Sequence, residues 1–347
     1  MFDHPSFDQH ERVVYAHDAA TGLRAIVAIH STARGPAAGG CRFWHYNSTH
    51  DALADALRLS RGMSYKNAMA GLPLGGGKAV VMVDPSQPKT PLMLEAFGRF
   101  VDSLHGLYIT AEDVGASVAD MEIVATRTRY VSGLPRTAVS SDGNPSPKTA
   151  LGVYLGIKAA VKYKLNKDEL RGLTVSVQGL GGVGFELCKL LAADGVRLRV
   201  ADVREAVAQK ASHQFDAAVS APDKILFERA DVVAPCALGA IFDANTIPKL
   251  QTTIIAGAAN NQLATAEDGA RLHAAGVLYA PDYVINAGGI ISVGREYLGG
   301  ATAESITAEI HRIPVRLTEI FARSSATNRP TSDLADEMAR QLLTEAR

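Results

Sequence analysis

Residues 173–204 read LTVSVQGLGGVGFELCKLLAADGVRLRVADVR. The apolar, β-branched run at 173–177 has the length and composition of a buried strand. It enters Gly179-x-Gly181-x-x-Gly184, and a helical pattern then carries to about Ala193. A second strand, RLRVAD, closes the unit on Asp202. Strand, glycine turn, helix and strand within roughly thirty residues make a βαβ unit, the repeat from which parallel sheets are built. This half of the chain is expected to be α/β, with a Rossmann-type doubly wound sheet.

A glycine pattern alone is weak, but here its context is complete. Glycines let the backbone approach a pyrophosphate, and a helix N-terminus adds aligned N–H donors with a partial positive charge. The spacing puts Gly179, Gly181, Gly182, Val183 and Gly184 at such a site. Asp202 lies 23 residues beyond Gly179, at the end of the next strand. A carboxylate there accepts from ribose hydroxyls and repels a 2′-phosphate, which favours NAD over NADP. Arg204 lies close by and works against that preference. The competing reading is a glycine-rich turn with no ligand.

Bulk properties narrow the class. The chain has 347 residues, with 35 Lys+Arg against 36 Asp+Glu. That length suits about two domains, and the balanced charge without a basic run argues against a nucleic-acid partner. Three widely spaced cysteines, Cys41, Cys188 and Cys236, form neither a disulfide framework nor zinc-ligand spacing. No metal site is expected. The polar start, MFDHPSFDQHER, is no signal peptide, and no apolar run approaches the roughly 20 residues of a membrane span. A cytoplasmic protein with no membrane partner is the expectation.

Before residue 132, strand-like LRAIVAIH (23–30) is followed by a helical pattern through Leu53, Ala56, Leu57, Ser60, Met63 and Asn67, with Asp51 as its expected cap. PLMLEAFGRFVDSL (91–104) reads as another helix, and LYITAEDVGAS (107–117) as a strand running into a turn. Residues 132–148 are rich in Ser, Gly and Pro and read as a linker. Further short strands are expected in 230–236, 252–261 and 277–289. The tail, TSDLADEMARQLL, reads as a helix with Leu334, Met338 and Leu342 at spacing four. The expected organisation is two domains separated by a cleft. Residues 1–134 form the first, with the helix at about 330–347 packing back on it, and 135–329 form the nucleotide domain.

A second glycine-rich stretch, NAMAGLPLGGGKAVVMVDP (67–85), ends its glycines on Lys78. It is not a phosphate loop: that motif needs a glycine where Leu72 stands and a hydroxyl where Ala79 stands. A strand follows it, not a helix. Lys66 and Lys78 lie twelve residues apart, at a helix end and a strand start, where both ammonium groups can line one wall of a cleft. Asp113 ends LYITAED and can face them. The bland alternative is a tight turn with a solvated lysine.

The segments YKNAMAGLPLGGGKAVVMVDP, TAEDVG, QGLGGVG, APCALGA, IAGAANNQL and APDYVINAGG resemble the amino-acid dehydrogenase superfamily of glutamate, leucine, phenylalanine and valine dehydrogenases. The resemblance runs from about residue 10 to past 300. It implies reversible, NAD-dependent oxidative deamination of an L-amino acid to a 2-oxo acid and ammonia, in a homo-oligomer. Lys66 matches the lysine that pairs with the substrate carboxylate, Lys78 the catalytic lysine, and Asp113 the carboxylate that moves protons to and from the substrate nitrogen. On this reading the glycines before Lys78 admit substrate to the backbone, and Gly40 adds a backbone donor for the carboxylate. Asn260, Asn261 and Asn286 stand at strand ends where substrate and nicotinamide meet, and which of the paired asparagines faces the ligand is left open.

Four apolar residues, Ala38, Ala111, Ile290 and Val293, match the side-chain pocket of that superfamily. Glutamate enzymes carry a lysine where Ala38 stands, and an unpaired carboxylate in an apolar pocket is costly. Alanine at 111 and valine at 293 resemble leucine enzymes, whereas GREYLG (294–299) resembles phenylalanine enzymes. Leucine and related branched-chain substrates are expected, with phenylalanine as the alternative. A non-catalytic nucleotide-binding regulator would lack one of Lys66, Lys78 and Asp113, and all three are present. A hydroxy-acid dehydrogenase would want a histidine–carboxylate pair, and no such placement is evident.

Overall fold

The structure is a computed structural model that describes residues 2–134 and 144–346. Residues 135–143, the middle of the expected linker, lie outside the described residues. From Ser146 the linker's end is already helix. The chain falls into two compact units. The first comprises the described residues of Met1–Gly143, Val293–Thr302 and Ala339–Arg347; the second comprises Asn144–Ser292 and Ala303–Met338. These lines differ from the expected 134/135 and 329/330 boundaries. Among the described residues, no helix is long and apolar enough to cross a membrane.

The first unit opens with β1 (Arg12–Asp18), β2 (Leu23–Ser31), β3 (Ala37–Ala38) and β4 (Cys41–Trp44). Helix α1 (Thr49–Met69), β5 (Gly75–Met82), α2 (Pro91–Asp102), β6 (Tyr108–Ile109) and α3 (Val118–Ala125) follow. The sheet runs β1-β2-β5-β3-β6, with β4 also on β5. Strand β2 is apolar at consecutive positions because both of its faces are covered. Ala25, Val27 and Ile29 pack with Leu94, Phe97 and Val101 of α2, whereas Ile26 and Ala28 pack with Ala52, Leu53, Ala56 and Leu57 of α1. The cap of α1 is Ser48, not Asp51: the Ser48 side chain accepts from the Asp51 N–H. Serine in extended conformation satisfies that donor directly, which leaves Asp51 in the first turn, where its charge complements the helix dipole.

The glycine run before Lys78 is not a loop. All of Gly75, Gly76 and Gly77 lie inside β5 and are buried. They admit protein atoms, not substrate. A Cβ on Gly76 would collide with the Ser64 backbone of α1, and one on Gly77 would stand 2.8 Å from the Tyr108 ring. Gly76→Ala should therefore lower stability by about 1–3 kcal/mol or more through overpacking. Urea unfolding measures this directly, and an unchanged midpoint would contradict the packing.

The second unit contains α4 (Ser146–Leu165), β7 (Thr174–Gln178), α5 (Gly182–Ala193), β8 (Arg197–Ala201), α6 (Glu205–Phe215), β9 (Ala218–Val219), β10 (Val232–Pro235) and β11 (Ile254–Ile255). After them come α7 (Glu267–Ala274), β12 (Leu278–Tyr279), α8 (Asp282–Ile285), α9 (Gly288–Leu298), α10 (Ala303–Ile310), α11 (Ile313–Thr327) and α12 (Thr331–Thr344), with α9 and α12 continuing into residues of the first unit. The sheet is parallel throughout, in the order β12-β11-β10-β7-β8-β9. The strand order reverses between β7 and β10, and in open α/β sheets ligands bind beyond the strand ends at that switch point. The stretch 277–289 is strand only at its start; from Asp282 it turns helical. In α12 the buried face includes Leu334, Ala335, Met338, Ala339 and Leu343, and Leu342 is only half-buried. Within the first unit, Arg340 Nε donates to the Tyr65 hydroxyl at 2.8 Å.

Candidate active site

Lys78 occupies the middle of β5, opposite Ala28 of β2, and is 5 % exposed. Burying a lysine requires a partner. Its Nζ lies 2.7 Å from Asp113 Oδ2, and the same oxygen accepts from Arg42 Nε at 3.2 Å. Arg42 projects from β4, and its Nη1 reaches Asp55 of α1 at 2.9 Å. The Tyr46 hydroxyl and Arg58 Nη2 hold Asp55 in turn, at 2.7 and 3.0 Å. Burial pushes the Asp113 carboxyl up, but the Lys78 ammonium and the Arg42 guanidinium outweigh it and hold it below the usual carboxylate range. The expected pair, Lys78 and Asp113, is thus brought together. Arg42 was missed, although a lone cation between Cys41 and Phe43 in a short apolar strand was a signal for it.

Gly40 adjoins Asp113: a Cβ at 40 would stand 2.8 Å from the Asp113 Cβ and 2.6 Å from the Glu112 carbonyl. Ala111 is half-buried, and its carbonyl accepts from Cys41 N at 2.8 Å. Ala38 pairs with both Gly76 and Ile109. Lys66 is in the last turn of α1 and half-buried. Beside it, buried Asn67 donates to the Gly75 carbonyl at 2.6 Å and the Ala38 carbonyl at 3.4 Å. That amide ties the helix end carrying Lys66 to the strands carrying Ala38 and Gly75.

In the second unit, Gly179 has φ +92°, and a Cβ there would stand 2.6 Å from the Ala237 Cβ. Only glycine suits that backbone. Gly184 packs on the Gly179 carbonyl, which brings α5 close to β7. Helix α5 begins at Gly182 with no side-chain cap, so the N–H groups of its first turn, which includes Val183, are left for another acceptor. A Cβ on Gly181 would meet nothing, and one on Gly182 would stand 2.6 Å from Ser146 Oγ. Asp202 follows β8 and accepts from Leu180 N at 2.8 Å. It also accepts from Arg204 N and Nε at 2.9 and 3.0 Å, and from Arg204 Nη2 at 3.2 Å. That guanidinium, helped by the two N–H donors, brings the Asp202 pKa down to about 2. Asn286 Nδ2 donates to Asn260 Oδ1 at 2.7 Å and to the Ala258 carbonyl at 3.0 Å. Among the described residues, buried Asn286 Oδ1 has no hydrogen-bond partner. Asn261 sits in a left-handed turn at φ +52°, and its carbonyl accepts from Ala240 N.

Residues 10–130 match the family model described as the Glu/Leu/Phe/Val dehydrogenase dimerisation domain, and 197–339 match that of glutamate/leucine/phenylalanine/valine dehydrogenase. Over 341 residues the chain is 47 % identical to leucine dehydrogenase of Geobacillus stearothermophilus, covering 98 % of this chain and 92 % of that protein. The chain belongs to the glutamate/leucine/phenylalanine/valine dehydrogenase family. This amino-acid dehydrogenase is also 45 % identical over 342 residues to valine dehydrogenase of Streptomyces coelicolor, covering 97 % of this chain and 93 % of that one. Among solved structures, L-tryptophan dehydrogenase from Nostoc punctiforme superposes with a TM-score of 0.86 at 43 % identity, covering 97 % of each chain. Two of the apolar residues singled out in the sequence fall on α9: Ile290 in the second unit and Val293 in the first, both half-buried.

Proposed function

We propose that the enzyme catalyses reversible NAD-dependent oxidative deamination of leucine and related branched-chain L-amino acids to the 2-oxo acid and ammonia. The observation that carries this is the buried Lys78–Asp113 pair at 2.7 Å, an ammonium and a carboxylate held side by side next to the Gly40 backbone. Lys66 and the Gly40 N–H hold the substrate carboxylate. Asp113, resting as carboxylate, accepts a proton from the substrate ammonium. When bound, NAD supplies the acceptor for the α-hydride. Lys78, once it has given up its own proton, takes one from the water that attacks the iminium carbon, and the ammonium so formed polarises the developing carbonyl. Asp113 returns its proton to the departing nitrogen and takes the hydroxyl proton as the carbonyl forms and ammonia leaves, and the two protons then held by Lys78 and Asp113 pass to solvent.

The second unit fits a dinucleotide. The uncapped start of α5 with Gly181 and Gly182 suits a pyrophosphate, Asp202 suits ribose hydroxyls, and the orphaned Asn286 Oδ1 suits an amide donor. Asn260, which holds Asn286, and Asn261 line the same end of the sheet. Ala38, Ala111 and Val293 of the first unit and Ile290 of the second are all apolar, which supports branched-chain substrates. The leucine and valine dehydrogenases among the relatives point the same way, and phenylalanine is not favoured. The family model described as a dimerisation domain supports a homo-oligomer, and the three free cysteines a reducing, cytoplasmic setting. Initial rates with leucine, isoleucine, valine, phenylalanine and glutamate, each with NAD and NADP, test the proposal. Branched-chain amino acids with NAD should give the highest kcat/KM. A wide margin for phenylalanine, or equal use of both nucleotides, would overturn that part of it.

A further inference from the structure

Tyr108 lies on β6, is fully buried, and was not among the expected functional residues. Its hydroxyl is 2.6 Å from the Gly39 carbonyl oxygen and accepts from Ala79 N at 3.1 Å. The Gly40 carbonyl at 3.2 Å and Thr110 Oγ1 at 3.4 Å are more distant acceptors. A phenol has one proton to donate, and the shortest contact takes it. The Gly39 carbonyl belongs to the same peptide unit as the Gly40 N–H. No peptide here is cis, so that N–H points away from the carbonyl, opposite to Tyr108. Among the described residues, the Gly40 N–H makes no hydrogen bond. Glycine on both sides leaves this peptide free to rotate.

We propose that Tyr108 is a positioning residue: its hydroxyl fixes the plane of the Gly39–Gly40 peptide and so presents the Gly40 N–H to the substrate carboxylate. The inference rests on the proposed carboxylate site at Lys66 and Gly40. The same oxygen holds the N–H of Ala79, the residue after Lys78, so one phenol registers the backbone donor against the strand that carries the lysine. The surroundings are shaped for it. Gly77 leaves room for the ring, and a Cβ on Gly39 would strike the Gly77 carbonyl.

Tyr108→Phe in the full-length enzyme is the test. The ring stays, and Ala79 N retains the Gly40 carbonyl as an acceptor at 3.3 Å, so the fold should persist with a lower melting temperature. The readouts are KM for leucine and the competitive inhibition constants of 4-methylpentanoate, which has the carboxylate, and of 3-methylbutylamine, which lacks it. Losing a well-aimed donor to a carboxylate should raise KM and the 4-methylpentanoate constant about tenfold or more. The amine constant should stay unchanged, and kcat should fall no more than about threefold, because the carboxylate is held alike in ground and transition states. A lower melting temperature with both carboxylate readouts unmoved would overturn the proposal. Lys66→Gln separates the two levels. If it weakens 4-methylpentanoate and Tyr108→Phe does not, the role of Tyr108 is wrong; if neither does, the carboxylate site itself is wrong.

Discussion

Lys78→Ala should reduce amino-acid oxidation about a thousandfold or more, while nucleotide binding, read by NADH fluorescence, stays near wild type. The lysine is asked to place a water and stabilise the charge that develops as the imine becomes a carbonyl, and effects of those kinds are each worth about 10²- to 10⁴-fold. Solvent cannot replace it, because the side chain sits inside β5 at 5 % exposure. The variant should still fold: Asp113 keeps Arg42 at 3.2 Å, so no carboxylate is stranded. Lys78→Arg should not rescue the rate, since a guanidinium does not give up its proton and its planar fork does not fit a point-charge site. Retention of more than about a tenth of wild-type turnover by the alanine variant would remove Lys78 from the proposed chemistry.

Asp113→Asn is the second large effect. The amide keeps the shape and still accepts from Lys78, but it cannot take a proton from the substrate ammonium. The expected loss in kcat is about 10²- to 10⁴-fold. A stability effect accompanies it. In the folded enzyme the Asp113 carboxyl is held below the usual carboxylate range, so its ion pairs stabilise the fold fully above that range and are lost as pH falls through the folded value. Acid unfolding of the asparagine variant should lack that contribution and show a shallower fall in stability on the acid side. A variant with wild-type turnover, or an acid limb identical to wild type, would show that the ion pair with Lys78 does not act as described.

The parallel-sheet unit was legible because its signals are local. A strand, three glycines, a helix and an acidic residue are read from neighbours within about thirty residues, and each has a backbone reason for its place. Lys78 and Asp113 were legible by type, but Lys78, expected at a strand start, lies in the middle of β5 because the glycines before it are part of the strand. What lay beyond reach were the partners. Arg42 meets Asp113 across 71 residues of sequence, and Tyr108 meets Gly39 across 69. Asp202 stands at a strand end as expected, but its occupation by the Arg204 fork depends on a rotamer that no spacing encodes.

The sequence alone determined the elements, the dinucleotide pattern, and the inventory of chemical groups, because helix and strand periods and glycine's backbone freedom act over a few residues. Tertiary structure decided what those groups do to one another. Strand β5 lies between β2 on one side and β3 and β4 on the other, and β3 also pairs with β6. That order, which only the packed sheet sets, lays Arg42 and Asp113 beside Lys78 and puts the Tyr108 hydroxyl under the Gly39–Gly40 peptide. It also gave the three glycines before Lys78 their purpose. With the Ser64 backbone and the Tyr108 ring pressed against β5, there is no volume for a Cβ, and the lysine is carried into the core on a strand instead of waving from a loop.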